Sequence, residues 1–150
     1  MTTTQSSSAP RHRVEVDVSL LIARLAAGLV MFPHGTQHLF GWFGGTGLSS
    51  FVQYLGPLAY LVSIGEVFGS LALILGVMSR FSAASLVVIM LGAIFIGHVH
   101  HGFFMNWYGI KQGEGFEYHL LMIALLLVVS IAGPGRFSVS VPAMRSRYLE

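Results

Sequence analysis

Two ionisable residues stand inside stretches of this sequence that hold almost no other charge. Glu66 lies in PLAYLVSIGEVFGSLALILGVM and Arg24 in VSLLIARLAAGLVMF. A charge in a lipid-spanning helix costs about 2.5–3.5 kcal/mol on insertion scales, so it turns toward the bundle interior and finds a partner. At 1.5 Å per residue, Arg24 lies roughly 9 Å inside Val18 and Glu66 roughly 14 Å inside Pro57. In a hydrocarbon core about 30 Å thick this leaves an axial gap of about 7 Å, which a long Arg side chain could largely close. Ala27 and Gly28 follow Arg24 by one turn, and Gly69 and Ser70 follow Glu66, so both faces suit close helix contact. Against pairing, side chains lean toward the helix N-terminus, which tilts the two charges apart. One reading of Arg24 and Glu66 is an ion pair that fixes helix register. The other is a catalytic pair, with Glu66 carrying a proton and Arg24 holding Glu66 or a quinone oxygen.

Histidines form the second group. Six of the seven, His34, His38, His98, His100, His101 and His119, fall toward one side of the apolar segments, with Glu114 and Glu117. His34 and His38 are four apart and His98 and His101 three apart, so either pair shares a helix face. Neutral imidazole ligates copper, zinc or iron and carries protons near neutral pH. His34, His98, His101, Glu117 and His119 are therefore candidate ligands for a transition metal, although no spacing matches a motif such as H-E-x-x-H. The bland reading is interfacial histidine bonded to water and backbone. Trp42, Phe43, Trp107 and Tyr108 fall on the same side. Their bland role is a membrane-interface belt; the sharper one is a cleft for a planar ligand, with Trp42 and Trp107 against a quinone ring.

The elements that position these residues are helical and apolar. Of 150 residues, 54% are hydrophobic and 9% charged, where a soluble domain carries about 25% charged. Four segments read as membrane helices: Val18 to about Pro33, Pro57 to Met78, Phe81 to about Val99, and Phe116 to Ala132. Ser79-Arg80 is a tight turn, Gly35–Gly56 and His100–Gly115 are long connections, and Gly133-Pro134-Gly135 is a helix stop. Arg11, Arg13, Arg80, Arg136, Arg145 and Arg147 flank one side and only Lys111 the other, which places the basic side in the cytoplasm. The expected fold is an all-α membrane protein, a four-transmembrane-helix bundle with N- and C-termini cytoplasmic. Residues 1–17 are expected as a disordered cytoplasmic tail, 18–135 as the membrane domain and 136–150 as a basic cytoplasmic tail. The first apolar run is not followed by a small-x-small cleavage site and is expected to be retained. With no cysteine, disulfides and thiolate-held zinc or iron–sulfur centres are excluded within this chain. A net charge of +2 gives no basis for nucleic-acid binding.

HGTQHLFGWFGGTGL, followed by YLGPLAYLVSIGEVFGSLALILGVMSRFSAA and ending in GPGRFSV, resembles the DoxX family of small four-helix membrane proteins over about Val18 to Ser140. HVHHGFFMNWYGIKQGEGFEYHLL resembles one branch of it. Where the family usually has Lys, this chain has His38, which is a cation only when protonated. The resemblance implies a multi-pass protein of the bacterial plasma (inner) membrane, linked with redox systems. The reading favoured is the membrane subunit of a quinone-linked redox complex, itself not necessarily catalytic, with the lipid bilayer and a redox protein or a second copy of the chain as partners. The alternatives are a metal-binding or transport protein, and a scaffold or assembly factor.

Overall fold

A computed structural model describes residues 9–139. Among these residues all regular structure is helical. Helix α1 spans Ala9–Phe40, α2 Gly47–Leu55, α3 Leu58–Leu75, α4 Ser79–Ala93 and α5 Glu117–Ala132. A π-helical turn, Ile94–His98, and a short 3-10 turn, Val99–His101, prolong α4. The long helices run up and down, so one end of the bundle gathers Arg24, Arg80 and Arg136 and the other gathers His34, His38, His98 and His119.

Three helical stretches are long and apolar enough to cross a membrane: Arg13–Phe40, Leu58–Leu75 and Ser79–His101. Helix α5, 16 residues long, is the shorter apolar fourth. Ile22, Leu61, Phe68, Val88, Leu121 and Ile131 all project from the bundle, an apolar exterior that a water-soluble monomer does not carry. The interior is small and tightly fitted: Ala23, Ala27 and Met31 of α1 meet Leu73 of α3, Leu86 and Met90 of α4, and Met122 and Leu126 of α5.

Several boundaries differ from the sequence expectation. Helix α1 begins at Ala9 rather than Val18, so residues 9–17 are helical instead of tail; residues 1–8 lie outside those described. It also passes through Pro33 to Phe40. Proline frees one carbonyl, a loss that a membrane helix accommodates where neighbouring groups compensate. This continuation keeps His34 and His38 on a helix. The expected loop after Pro33 instead holds α2, where Leu48, Phe51, Val52 and Leu55 follow the helical period. The α3–α4 turn is at Gly76–Met78, with Ser79 and Arg80 already in the first turn of α4. Of the expected basic tail 136–150, residues 140–150 lie outside the described range.

The basic end is closed by two arginines. Arg80 Nη1 donates to the carbonyls of Ser130 (2.8 Å) and Ile131, which end α5. Arg24 Nη2 donates to Phe137 O at 2.5 Å and Nη1 to Pro134 O at 3.4 Å. Arg136 N donates to Asp17 Oδ1 at 3.0 Å, and Val139 N to Leu75 O at 3.1 Å. The chain after α5 is thereby seated across the ends of α1 and α3. Gly76, at φ +81°, caps α3; a Cβ there would lie 1.9 Å from Arg24 Nη1, so the turn and the buried guanidinium require each other.

Candidate functional site

Arg24 and Glu66 are both buried, yet they do not pair. Each follows the lean of its own helix: Arg24 reaches the carbonyls at the basic end, and Glu66 points to the histidine end. There His38 Nδ1 lies 2.7 Å from Glu66 Oε2. The Glu66 side chain is 4% exposed and His38 33%. A carboxylate so enclosed needs a charged or hydrogen-bonding partner, and His38 supplies one in a charge-assisted bond.

Three local features build that contact. The continuation of α1 past Pro33 puts His38 opposite α3. Gly35, one turn before His38, lets α1 touch the α3 backbone: a Cβ there would be 2.7 Å from Val67 N and 2.9 Å from Glu66 Cβ. Phe51 of α2 stacks on the His38 ring, with centroids 4.0 Å apart and planes 11° from parallel.

The pair forms the polar end of a cleft of about 350 Å³, within the size range of small-molecule sites. Its apolar walls come from α2 (Phe51, Tyr54), α3 (Leu58, Val62), α4 (Ile89) and the π turn (Ile96). Leu61, Val88 and Ile96 at its margin are exposed on the apolar outer face, so a lipid-soluble molecule can enter from the side. A π turn shifts the residues after it around the helix, a device frequent at functional sites. Here it brings Gly97 beside the Tyr54 hydroxyl and His98 to the cleft wall.

The aromatics singled out from sequence are elsewhere. Trp42 packs on Phe40, and Trp107 donates to Glu117 Oε1 at 3.1 Å in the loop before α5. Both are exposed, and neither lines the cleft. Phe51 and Tyr54 hold the place expected for them, and the signal that could have found these two was the helical spacing around Phe51.

The candidate metal ligands also divide. The His98 and His119 rings lie close but tilted, with centroids 4.2 Å apart and planes 46° from parallel. His34 faces Tyr118 at 5.7 Å. His101 packs against Gly113, and Glu117 is engaged by Trp107. Among the described residues no three His, Asp or Glu side chains are grouped to hold a metal ion.

Every residue lining the cleft falls between His38 and His98. The family model for DoxX matches residues 19–99. This chain belongs to the DoxX family. No curated protein and no solved structure matches it. Family membership and the long apolar helices together make it an integral membrane protein. The DoxX match contains Arg24, His38, Glu66, Gly76 and Arg80, so it covers both the cleft and much of the arginine-closed end. The Gly76-to-Arg80 turn, part of the stretch that carries the family resemblance, is explained by packing: Gly76 admits Arg24, and Arg80 binds the end of α5.

Proposed function

We propose that this DoxX-family protein is the membrane subunit of a quinone-linked redox complex in the bacterial inner membrane, and that its cleft receives the quinone. The observation that carries this reading is the His38–Glu66 pair at the end of an apolar cleft open to the lipid-facing side. A quinone brings exactly-matched needs of that kind: an apolar body, ring oxygens for hydrogen bonding, and two-electron chemistry coupled to protons. The cleft fits the body; His38 and Glu66 would hold the polar end and bear protons there. Phe51 fixes the His38 ring, and the apolar walls limit water. The chain has no cysteine for a thiol or iron–sulfur centre of its own, and in this reading the electrons come from a partner protein carrying a flavin, haem or iron–sulfur centre.

Glu66→Gln keeps the side-chain shape and removes the titrating group. The native complex, purified in mild detergent, is expected to lose quinone-reductase rate by about 100-fold or more, the scale of a lost proton-transfer group, with insertion unchanged. Unchanged turnover, or a purified protein without any redox partner, sinks the redox-subunit reading.

The proposal includes four spans with both termini in the cytoplasm. It is supported by the antiparallel placement of α5, whose 16 residues extend about 24 Å at 1.5 Å each, and by Arg13, Arg80 and Arg136 opposing Lys111. The cysteine-free chain permits a direct test. A membrane-impermeant maleimide on intact inner-membrane-exposed cells is expected to label Tyr108→Cys, but Thr4→Cys and Ser146→Cys only after lysis. External labelling of Ser146→Cys alone among the two tails would establish an odd number of spans.

A further inference from the structure

We propose that His98 and His119 form a proton passage between the cleft and the histidine end of the bundle. This deepens the quinone reading, since it gives the protons of the His38–Glu66 pair a route.

His98 has two surroundings. It belongs to the cleft wall, while its Nδ1 lies 2.9 Å from the backbone carbonyl of Glu114, in the exposed loop before α5. A carbonyl only accepts, so His98 Nδ1 carries the hydrogen and Nε2 of the neutral ring is the free acceptor. An imidazole so held takes a proton at Nε2 and becomes the cation; it then gives up the Nδ1 proton to solvent water at the exposed loop, which takes the place of the Glu114 carbonyl. One proton enters, one leaves, and no electron moves; a return to the starting tautomer resets the ring.

His119 supplies the second base. Its ring centroid is 4.2 Å from that of His98. It is buried, and its Nδ1 has no hydrogen-bond partner among the described residues. That nitrogen is therefore open to a proton or a hydrogen-bonding partner. The other titratable groups around the passage come from every neighbouring element. Tyr118 of α5 lies edge-on to His119 at 5.4 Å and tilted to His34 of α1 at 5.7 Å. Tyr54 of α2 faces the π turn at Gly97, and His38 with Glu66 closes the cleft. At the outer end the Glu114 carboxylate accepts from Asn106 N at 2.6 Å, which holds the loop carbonyl over His98.

The test reads the proton itself. Protein in lipid nanodiscs is subjected to a pH jump, and the Glu66 carboxyl band, assigned by its loss in Glu66→Gln, is followed by time-resolved infrared spectroscopy. His98→Gln and His119→Gln are each expected to slow its response at least tenfold, and added imidazole is expected to restore the rate in His98→Ala. Thermal unfolding of each variant identifies any that do not fold, and the remaining variant with the imidazole rescue then decides. An unchanged rate in both variants overturns the passage, as does a Glu66 carboxyl that never responds to pH. Absent quinone binding with a His98-dependent response leaves the passage standing and removes the quinone; quinone turnover with a His98-independent response does the reverse.

Discussion

Gly35→Ala is expected to destabilise the protein by about 1–3 kcal/mol, the usual cost of an added methyl in a filled interior, and to separate His38 from Glu66. The effect runs against helix propensity, because replacing glycine by alanine inside a helix ordinarily gains about 0.5–1 kcal/mol. Packing wins here because the new Cβ would meet backbone rather than a movable side-chain tip: Val67 N at 2.7 Å and the Glu66 carbonyl carbon at 2.9 Å. Helix α1 must move off α3 at the level where the cleft has its polar end. Gly92→Ala is the control for stability alone, since Gly92 lines the cleft. It lies in α4 with nothing within 4 Å of the added Cβ, so it is expected to be neutral or slightly stabilising. Thermal unfolding in detergent measures the stability difference between the two variants, and binding of a short-chain benzoquinone, compared with the unaltered protein, measures the cleft, with a loss of tenfold or more expected for Gly35→Ala. Stability and benzoquinone binding in Gly35→Ala equal to those of the unaltered protein would show that α1 and α3 can part at Gly35 without consequence.

The same geometry explains what the sequence disclosed. Glu66 was legible because an acid amid apolar residues is conspicuous, and its need for a partner follows from the cost of burying it. The partner was not legible. The apolar run alone ends the first segment at about Pro33, which puts His38 in the Gly35–Gly56 connection and leaves Arg24 as the nearest cation. The N-terminal lean of helical side chains was the physical signal against that pair, and it prevailed. The histidine grouping was legible only as a region. Spacing put His98 with His101, whereas the π turn rotates the helix end and sets His98 against His119 of another helix. A single inserted residue in a hydrogen-bond ladder leaves no periodic trace in so short a segment. Trp42 and Trp107 drew attention by size, but size does not determine which side of an irregular connection a ring faces. Phe51 and Tyr54 are less conspicuous in composition, and only the fold of α2 reveals that they border the cleft.

Arg24→Met separates the two roles first considered for the buried arginine. Methionine retains much of the apolar volume and removes the guanidinium. A hydrogen bond to a charged group contributes about 1.5–3 kcal/mol, and the 2.5 Å bond to Phe137 O is the stronger of the two that would vanish. The expected loss is therefore about 1.5–3 kcal/mol, concentrated at the basic end: the chain after Ala132 should come free and become sensitive to limited proteolysis. Benzoquinone binding should stay near that of the unaltered protein, because Arg24 does not line the cleft. Combining Arg24→Met with Glu66→Gln decides the matter quantitatively. Residues without shared partners add within about 0.3–0.5 kcal/mol, and in this fold the partners are separate: Pro134 and Phe137 for Arg24, His38 for Glu66. Additive losses in unfolding free energy are expected. A coupling well beyond that margin, with benzoquinone binding lost in Arg24→Met, would restore the direct Arg24–Glu66 pair and require α1 to carry its arginine toward the cleft. Because α1 is held against α3 by the close contact at Gly35, such a shift would also have to break the His38–Glu66 bond, so both signs would appear together.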